Sequence, residues 1–281
     1  MTEEAPGPLI WSLPEPPGRP TTSLSRADIL RAGLAIADAE GARALTMRRV
    51  ATAVGASTPM SLYRYVGSKD GLVDLMIDAV YGEIPLPATD SADAAHWRDG
   101  FERLALRTWE VIRRHLWFGE LWHTRPPLGP NALRYFDYRF ALLEPLGRGA
   151  DDLTLLTGAV DGHLIGAALQ AAEEQRMRTR SGLHTDEQLA AAARPFVEPL
   201  LADGRYPAFA RWFHGRTGAG PGDPVAWTLG CLLDGLTERL GLPRFAFDDC
   251  DIAHVADQLA DVRSGGVAQA AEHLRARAGD R

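Results

Sequence analysis

Cysteine is nearly missing: Cys231 and Cys250 are the only two in 281 residues. Two thiols in so long a chain exclude a small disulfide-stapled fold, and both are expected as small buried or half-buried residues. No apolar run reaches the ~18–20 residues that span a bilayer. The N-terminus lacks the charged-then-apolar layout of a secretory leader. A cytoplasmic protein with no membrane partner is therefore expected. Stretches that alternate Val, Ile or Thr with polar residues are also missing, so strands are not expected.

The signatures HExxH, GxSxG, GxxxxGK[ST] and a GxGxxG behind a strand do not occur. The adjacent carboxylates Asp151–Asp152 and Glu173–Glu174 do not replace them, because neighbours on a helix point in different directions. They read as a helix N-terminal charge and a solvated face. No catalytic residue, metal or cofactor is expected. A helical enzyme remains only as a remote alternative.

What is present is a chain that is 46% hydrophobic, rich in helix formers and acidic overall, with a net charge of −7. That suffices for a sizeable core in one or two domains. The fold class expected is all-α: an N-terminal three-helix helix-turn-helix domain and a larger second helical domain. Residues 1–22 hold Pro6, Pro8, Pro14, Pro16, Pro17 and Pro20 and read as a disordered extension. Residues 23–83 form the helix-turn-helix domain. The run EIPLPATDSAD at 83–93 is a linker, and residues 94–281 form the second domain.

The most informative stretch is ALTMRRVATAVGASTPMSLYRYVGSKDG, from Ala44 to Gly71. Thr46 is a good helix N-cap, and Met47, Val50, Ala51 and Val54 follow at one-face helical spacing. Gly55 suits a helix end. Ser57 or Thr58 is placed to cap a second short helix, with Pro59 at its first position. Leu62 and Val66 face inward there, leaving Met60, Ser61, Tyr63, Arg64 and Tyr65 facing out. Ser68 caps the next helix, with Leu72, Leu75, Met76 and Ala79 on one face. From Arg43 to Lys69 there are five basic residues (Arg43, Arg48, Arg49, Arg64, Lys69) and no acidic ones. A basic island in an acidic chain is the footprint of phosphate contact, so double-stranded DNA is the expected partner.

The motifs LTMRRVA (45–51), LYRYV (62–66) and SKDGLVD (68–74), with the first helix SRADILRAGLAIADAEG (25–41), resemble the N-terminal domain of TetR-family transcriptional regulators. The likeness covers about a fifth of the chain. The turn between Gly55 and Leu62 is one residue longer than the usual family turn. The resemblance implies DNA contacts from Thr46, Arg48, Ser61, Tyr63, Arg64, Tyr65 and Lys69. Tyr63 and Lys69 match phosphate-holding positions, and Arg48 and Arg64 are placed to reach base edges. It also implies a homodimer on a palindromic operator, probing two successive major grooves.

The second domain reads as successive helices. One spans His96–Leu116, with Trp97, Phe101, Leu104, Ala105 and Trp109 on one side. Another spans Asn131–Leu146, and a long one runs from Ala150 to Glu174. A polar loop at 178–186 follows. Residues 187–213 are helical with breaks at Pro195, Pro199 and Pro207. An amphipathic helix covers Val225–Leu240, and one or two more helices are expected between Asp251 and Arg277. Gly158, Gly162 and Gly166 form a stripe on the long helix, and each costs roughly 1 kcal/mol against alanine. Close approach of another helix would compensate. With Leu229, Leu233 and Leu236, this stripe is expected at the dimer interface.

Large apolar groups and polar atoms meet in WFGELWHTRPPLGP (117–130), as in small-molecule pockets. HTRP (123–126) and DGHLIGAALQ (161–170) resemble ligand-lining segments of the tetracycline-repressor branch. Trp117, Phe118, Trp122, His123, Thr124, His163 and Gln170 are therefore the expected ligand set. Tetracycline-binding relatives hold magnesium with a histidine and a carboxylate on the long helix. His123 matches the first, but Gln170, a neutral amide, stands at the second, so a metal-held ligand is not expected. The function expected is a DNA-binding regulator, a repressor, released by a small molecule. The alternative is a DNA-binding dimer with no small ligand.

Overall fold

The structure, a computed structural model, describes residues 9–14, 24–87, 97–215 and 222–242. Among the described residues every regular element is helical and none is a strand. The N-terminal unit contains α1 (Arg26–Glu40), α2 (Met47–Ala53), α3 (Met60–Val66) and α4 (Lys69–Glu83). Three of these starts are set locally. Ser25 closes a capping box with Asp28, Thr46 accepts from the Arg49 N–H, and Ser68 accepts from the Gly71 N–H. Each such cap contributes roughly 1 kcal/mol. Gly41 at φ +84° and Gly55 at φ +68° then end α1 and α2 in backbone that L side chains rarely adopt. Ser57 and Thr58, by contrast, do not cap α3. Its N-cap is Pro59, with no side-chain bond.

The second unit contains α5 (Trp97–Ile112), α6 (Trp117–Leu121), α7 (Pro130–Leu143), α8 (Ala150–Ser181), α9 (Asp186–Ala202), α10 (Pro207–Gly215) and α11 (Pro224–Arg239). Trp97, Phe101, Leu104, Ala105 and Trp109 of α5 are all buried, as their spacing predicts. The aromatic segment is not irregular: α6 passes into a 3-10 turn at Trp122–Thr124. The long helix α8 runs past Glu174 to Ser181 and stops at Gly182, φ +69°. Pairs one turn apart, Arg176 with Glu173 and Arg178 with Glu174, sustain that charged extension. Nor do Pro195 and Pro199 break α9. The helix is exposed around them, so water can serve the carbonyls that each proline leaves without a donor.

Two further expectations are corrected. Cys231 is exposed on α11. Part of the proline-rich extension is packed: Ile10 is 1% exposed, in a 3-10 turn at Ile10–Ser12 against α4. Arg26 ties that segment down, donating to the carbonyls of Leu13 (3.1 Å) and Tyr65 (2.9 Å). The rest of the extension, the linker beyond residue 87, the tail with its expected helices and Cys250 lie outside the described residues.

The element that positions everything else is α4. Its first half packs on α1 and α3, and its second half on α6 and α7. Leu72 and Met76 lie buried against Gly33 of α1, and the Tyr81 ring meets Phe118 and Tyr135 of the second unit. One continuous apolar core therefore runs through both units.

Candidate functional site

The α2–turn–α3 surface presents the basic island. Arg43, Arg48 and Lys69 are exposed, with Lys69 in the first turn of α4. Arg49 is committed to an ion pair with Glu40 at the end of α1. Arg64 is exposed and lies over the Tyr65 ring, 4.6 Å from its centre. Its Nη2 donates to the Tyr65 hydroxyl, which leaves the other guanidinium N–H groups to solvent. Tyr63 is half-buried. The hydroxyls of Thr46 and Ser61 are engaged locally, Thr46 as the α2 cap and Ser61 donating to the Thr58 carbonyl at 2.7 Å. One placement is corrected: Tyr65 does not face out but is 1% exposed. It sits three residues after Leu62 and one before Val66, on the same inner side of a seven-residue helix.

Behind this surface is a polar joint that sequence reasoning missed. His115, at the α5–α6 turn, lies between two carboxylates of the N-terminal unit. Its Nδ1 is 2.7 Å from Asp38 of α1, and its Nε2 is 3.2 Å from Glu83 of α4. The Trp117 indole N–H also donates to Asp38, at 2.5 Å. On the opposite side, Asp78 of α4 accepts from the Ala132 N–H (2.9 Å) and the Asn131 amide (3.0 Å). Gly129, the N-cap residue of α7, supplies no side-chain bond, so α7 is capped by a side chain from the other unit. The fit is tight: a Cβ on Gly129 would stand 2.2 Å from the Asp78 carboxylate and 2.6 Å from Trp11. Arg125 donates to Asp74 at 2.9 Å. Burial pushes the carboxyls of Asp74 and Asp78 above the usual carboxylate range, against the bonds they accept.

The residues expected to bind a ligand are not gathered in one place. Phe118 and Trp122 are buried in the core, with ring centres 4.9 Å apart. Trp117 borders a groove of about 550 Å³ between α1, the α5–α6 turn, α6 and α8. Gln170 borders a different groove, of about 470 Å³, beside Trp109 and the start of α11. Thr124 is exposed, and its hydroxyl donates to the Leu121 carbonyl at 2.7 Å. His163 joins two helices, its Nε2 lying 3.2 Å from the Val225 carbonyl and 3.1 Å from the Thr228 hydroxyl. The His123 side chain lies outside the described residues.

The expected dimer residues divide. Gly158, Gly162 and Gly166 are exposed, and a Cβ added to any of them would meet nothing within 4 Å. Leu155 and Leu169, on the same helix, are exposed at 62% and 40%. Leu229 and Leu233 are corrected: both are 0% exposed, spent within the protomer against α5 and α8. Leu236 is half-buried on that core. The large apolar side chain that α11 leaves outside is Trp227, 58% exposed.

A short capped helix, a glycine-marked turn and an arginine-bearing second helix, carried on a larger helical unit, make this a helix-turn-helix DNA-binding protein. The family follows from two matches. A model described as "Bacterial regulatory proteins, tetR family" covers residues 29–76. Another, "Tetracyclin repressor-like, C-terminal domain", covers residues 88–240. The chain belongs to the TetR family of transcriptional regulators. It is 40% identical over 205 residues to the "HTH-type transcriptional repressor DrrR1" of Streptomyces coeruleorubidus, covering 72% of this chain and 74% of that one. It is 33% identical over 207 residues to an "HTH-type transcriptional regulator" of Saccharopolyspora erythraea, covering 74% and 85%. In fold it is similar to the Streptomyces coelicolor TetR family protein ActR, solved in complex with actinorhodin. That match has a TM-score of 0.59 at 23% identity and covers 78% of this chain and 99% of that chain.

Proposed function

We propose that the protein is a repressor that binds a palindromic operator as a homodimer and is released by a small molecule held in its second domain. It acts by binding, not by catalysis. The observation that carries this reading is the joint. The helix whose N-terminus carries Lys69 also carries Asp78, which caps α7 of the second unit. A rearrangement in the second domain therefore has a direct grip on the DNA-reading surface. For release, the ligand must bind the displaced arrangement more tightly than the DNA-bound one, and operator must weaken ligand binding by the same factor. The fold neighbour in complex with actinorhodin supports a small-molecule effector. The glycine stripe with Leu155, Leu169 and Trp227 is the proposed dimer surface, since an exposed apolar face of this kind marks an interface. A cytoplasmic location fits this role, and no described helix is long and apolar enough to cross a membrane.

The DNA contacts are tested by salt titration. Lys69→Ala should weaken all duplexes alike and lower the slope of log affinity against log salt by about one unit. Arg64→Ala should cost ~1–3 kcal/mol on the operator and relax preference at one position. Equal losses on operator and random duplex would remove Arg64 from the base-reading set.

A further inference from the structure

Residues 9–14 read LIWSLP, an uncharged stretch, and its apolar side chains are seated on both units. The Leu9 and Ile10 carbonyls close a 3-10 turn, accepting from the Ser12 N–H (3.0 Å) and the Leu13 N–H (3.1 Å). Three residues per turn put Ile10 and Leu13 on one side and Trp11 a third of a turn away. Ile10 is buried beside Gly71 in the first turn of α4, where an added Cβ would stand 3.6 Å from its own. Leu13 covers Gly67, which ends α3 at φ +71°; a Cβ there would stand 2.8 Å from Leu13 Cδ1. Trp11 faces the other way and lies against Gly129, the N-cap residue of α7. There it shares a cavity of about 10 Å³ with Asp74, Asp78 and Arg125. Arg26, at the start of α1, pins the end of the turn, because one guanidinium donates to the carbonyls of both Leu13 and Tyr65 of α3. The stretch therefore grips the end of the arginine-bearing helix, the start of α4 and the start of α7 together.

We propose that residues 9–13 are a strap that fixes the angle between the DNA-reading unit and the second unit, and so sets the half-site spacing that the dimer accepts. Trp11 and Leu13 are its positioning residues, one at each end of the grip. In a two-fold assembly each second unit holds one DNA-reading unit, so play at the joint becomes play between the two reading surfaces. One base pair added between half-sites moves them apart by about 3.4 Å and turns them by about 35°. A strapped joint resists that displacement, and an unstrapped one follows it. The same observations speak against a DNA contact by this segment. The seated stretch holds no cation, and Arg19 is the only basic side chain in residues 1–22. The proposal rests on the reading that the protein binds a palindrome as a homodimer.

The test titrates the full-length protein by anisotropy against a duplex selected from a random pool and against the same duplex with one base pair added between its half-sites. The wild type should bind the lengthened duplex about a hundredfold more weakly than the selected one. Trp11→Ala should bind the selected duplex about fivefold more weakly, yet its penalty for the added base pair should shrink to about tenfold. Leu13→Ala should shrink the penalty in the same direction by loosening the other end, and Trp11→Phe should restore most of it. The dependence on salt should match the wild type in every variant, because no phosphate contact is lost. Lost stability alone does not imitate this result. A partly unfolded population lowers the apparent affinity for both duplexes by one factor and leaves their ratio unchanged. A wild-type ratio in either Trp11→Ala or Leu13→Ala overturns the strap. So does a reduced salt slope, which places the segment on the phosphates instead. If the wild type itself selects no palindrome, the homodimer reading fails, and the strap's role in spacing fails with it.

Discussion

Leu233→Glu will unfold the second domain, whereas Gly162→Glu will leave the protomer folded and abolish the dimer. Both positions come from the set that the sequence assigns to one interface, and the structure separates them. Leu233 is 0% exposed, packed within the protomer among α5, α8 and α11. Truncating such a leucine costs about 2–5 kcal/mol, and an unpaired carboxylate in its place adds a desolvation penalty of several kcal/mol more. A domain with about 5–15 kcal/mol of stability does not carry that loss. Gly162 is exposed, with nothing within 4 Å of an added Cβ. Replacing it raises helix propensity by roughly 0.5–1 kcal/mol, so the protomer should melt at or above the wild-type temperature. On a two-fold axis, however, each added carboxylate meets its own copy across a face meant for close backbone approach. Operator affinity should then fall about a hundredfold or more, because each half-site alone binds weakly. Denaturant melts and light scattering decide the matter. A folded monomer from Leu233→Glu, or an unchanged dimer mass for Gly162→Glu, would refute the assignment.

Asp78→Ala should give the other large effect. The Asp78 carboxylate caps a helix that its own sequence leaves uncapped, accepting from the Ala132 N–H and the Asn131 amide. Losing this N-cap leaves the buried Ala132 N–H without an acceptor, which costs roughly 1–3 kcal/mol. Burial of the Asp78 charge offsets part of this, as its raised pKa shows, leaving a net loss of about 2 kcal/mol. The functional consequence is more specific. Operator binding without ligand should survive, since α2, α3 and Lys69 are untouched, while ligand-driven release should weaken because α4 has lost its hold on α7. Asp78→Asn, whose amide oxygen still accepts, should recover much of both. A variant that releases normally would show that coupling runs elsewhere, through the Arg125–Asp74 pair or the His115 and Trp117 contacts to Asp38 and Glu83.

The sequence discloses what is local. Ser25 with Asp28, Thr46, Ser68, Gly41 and Gly55 define the ends of α1, α2 and α4 from a few neighbouring residues, and those ends are where the spacing puts them. Tyr65 was misplaced because a seven-residue helix allows two readings of its inner side. Helical periodicity marks the leucines of α11 as an apolar stripe, but it does not tell whether that stripe is covered by α8 or by a second copy. The charged end of α8 and the prolines of α9 looked like interruptions, because side-chain pairing and solvent exposure offset those local costs. The joint was not legible at all. His115 meets Asp38 across 77 positions, and Trp117 meets Asp38 across 79.

Selection of bound duplexes from a random pool tests sequence-specific DNA binding by a two-fold assembly. A palindrome should be enriched, bound by two protomers, with an affinity that falls steeply with salt, drops by ~1–3 kcal/mol in Arg64→Ala and is largely lost in Gly162→Glu. A pool that shows no palindromic enrichment, or a selected site bound equally well by a single Gly162→Glu protomer, would contradict it.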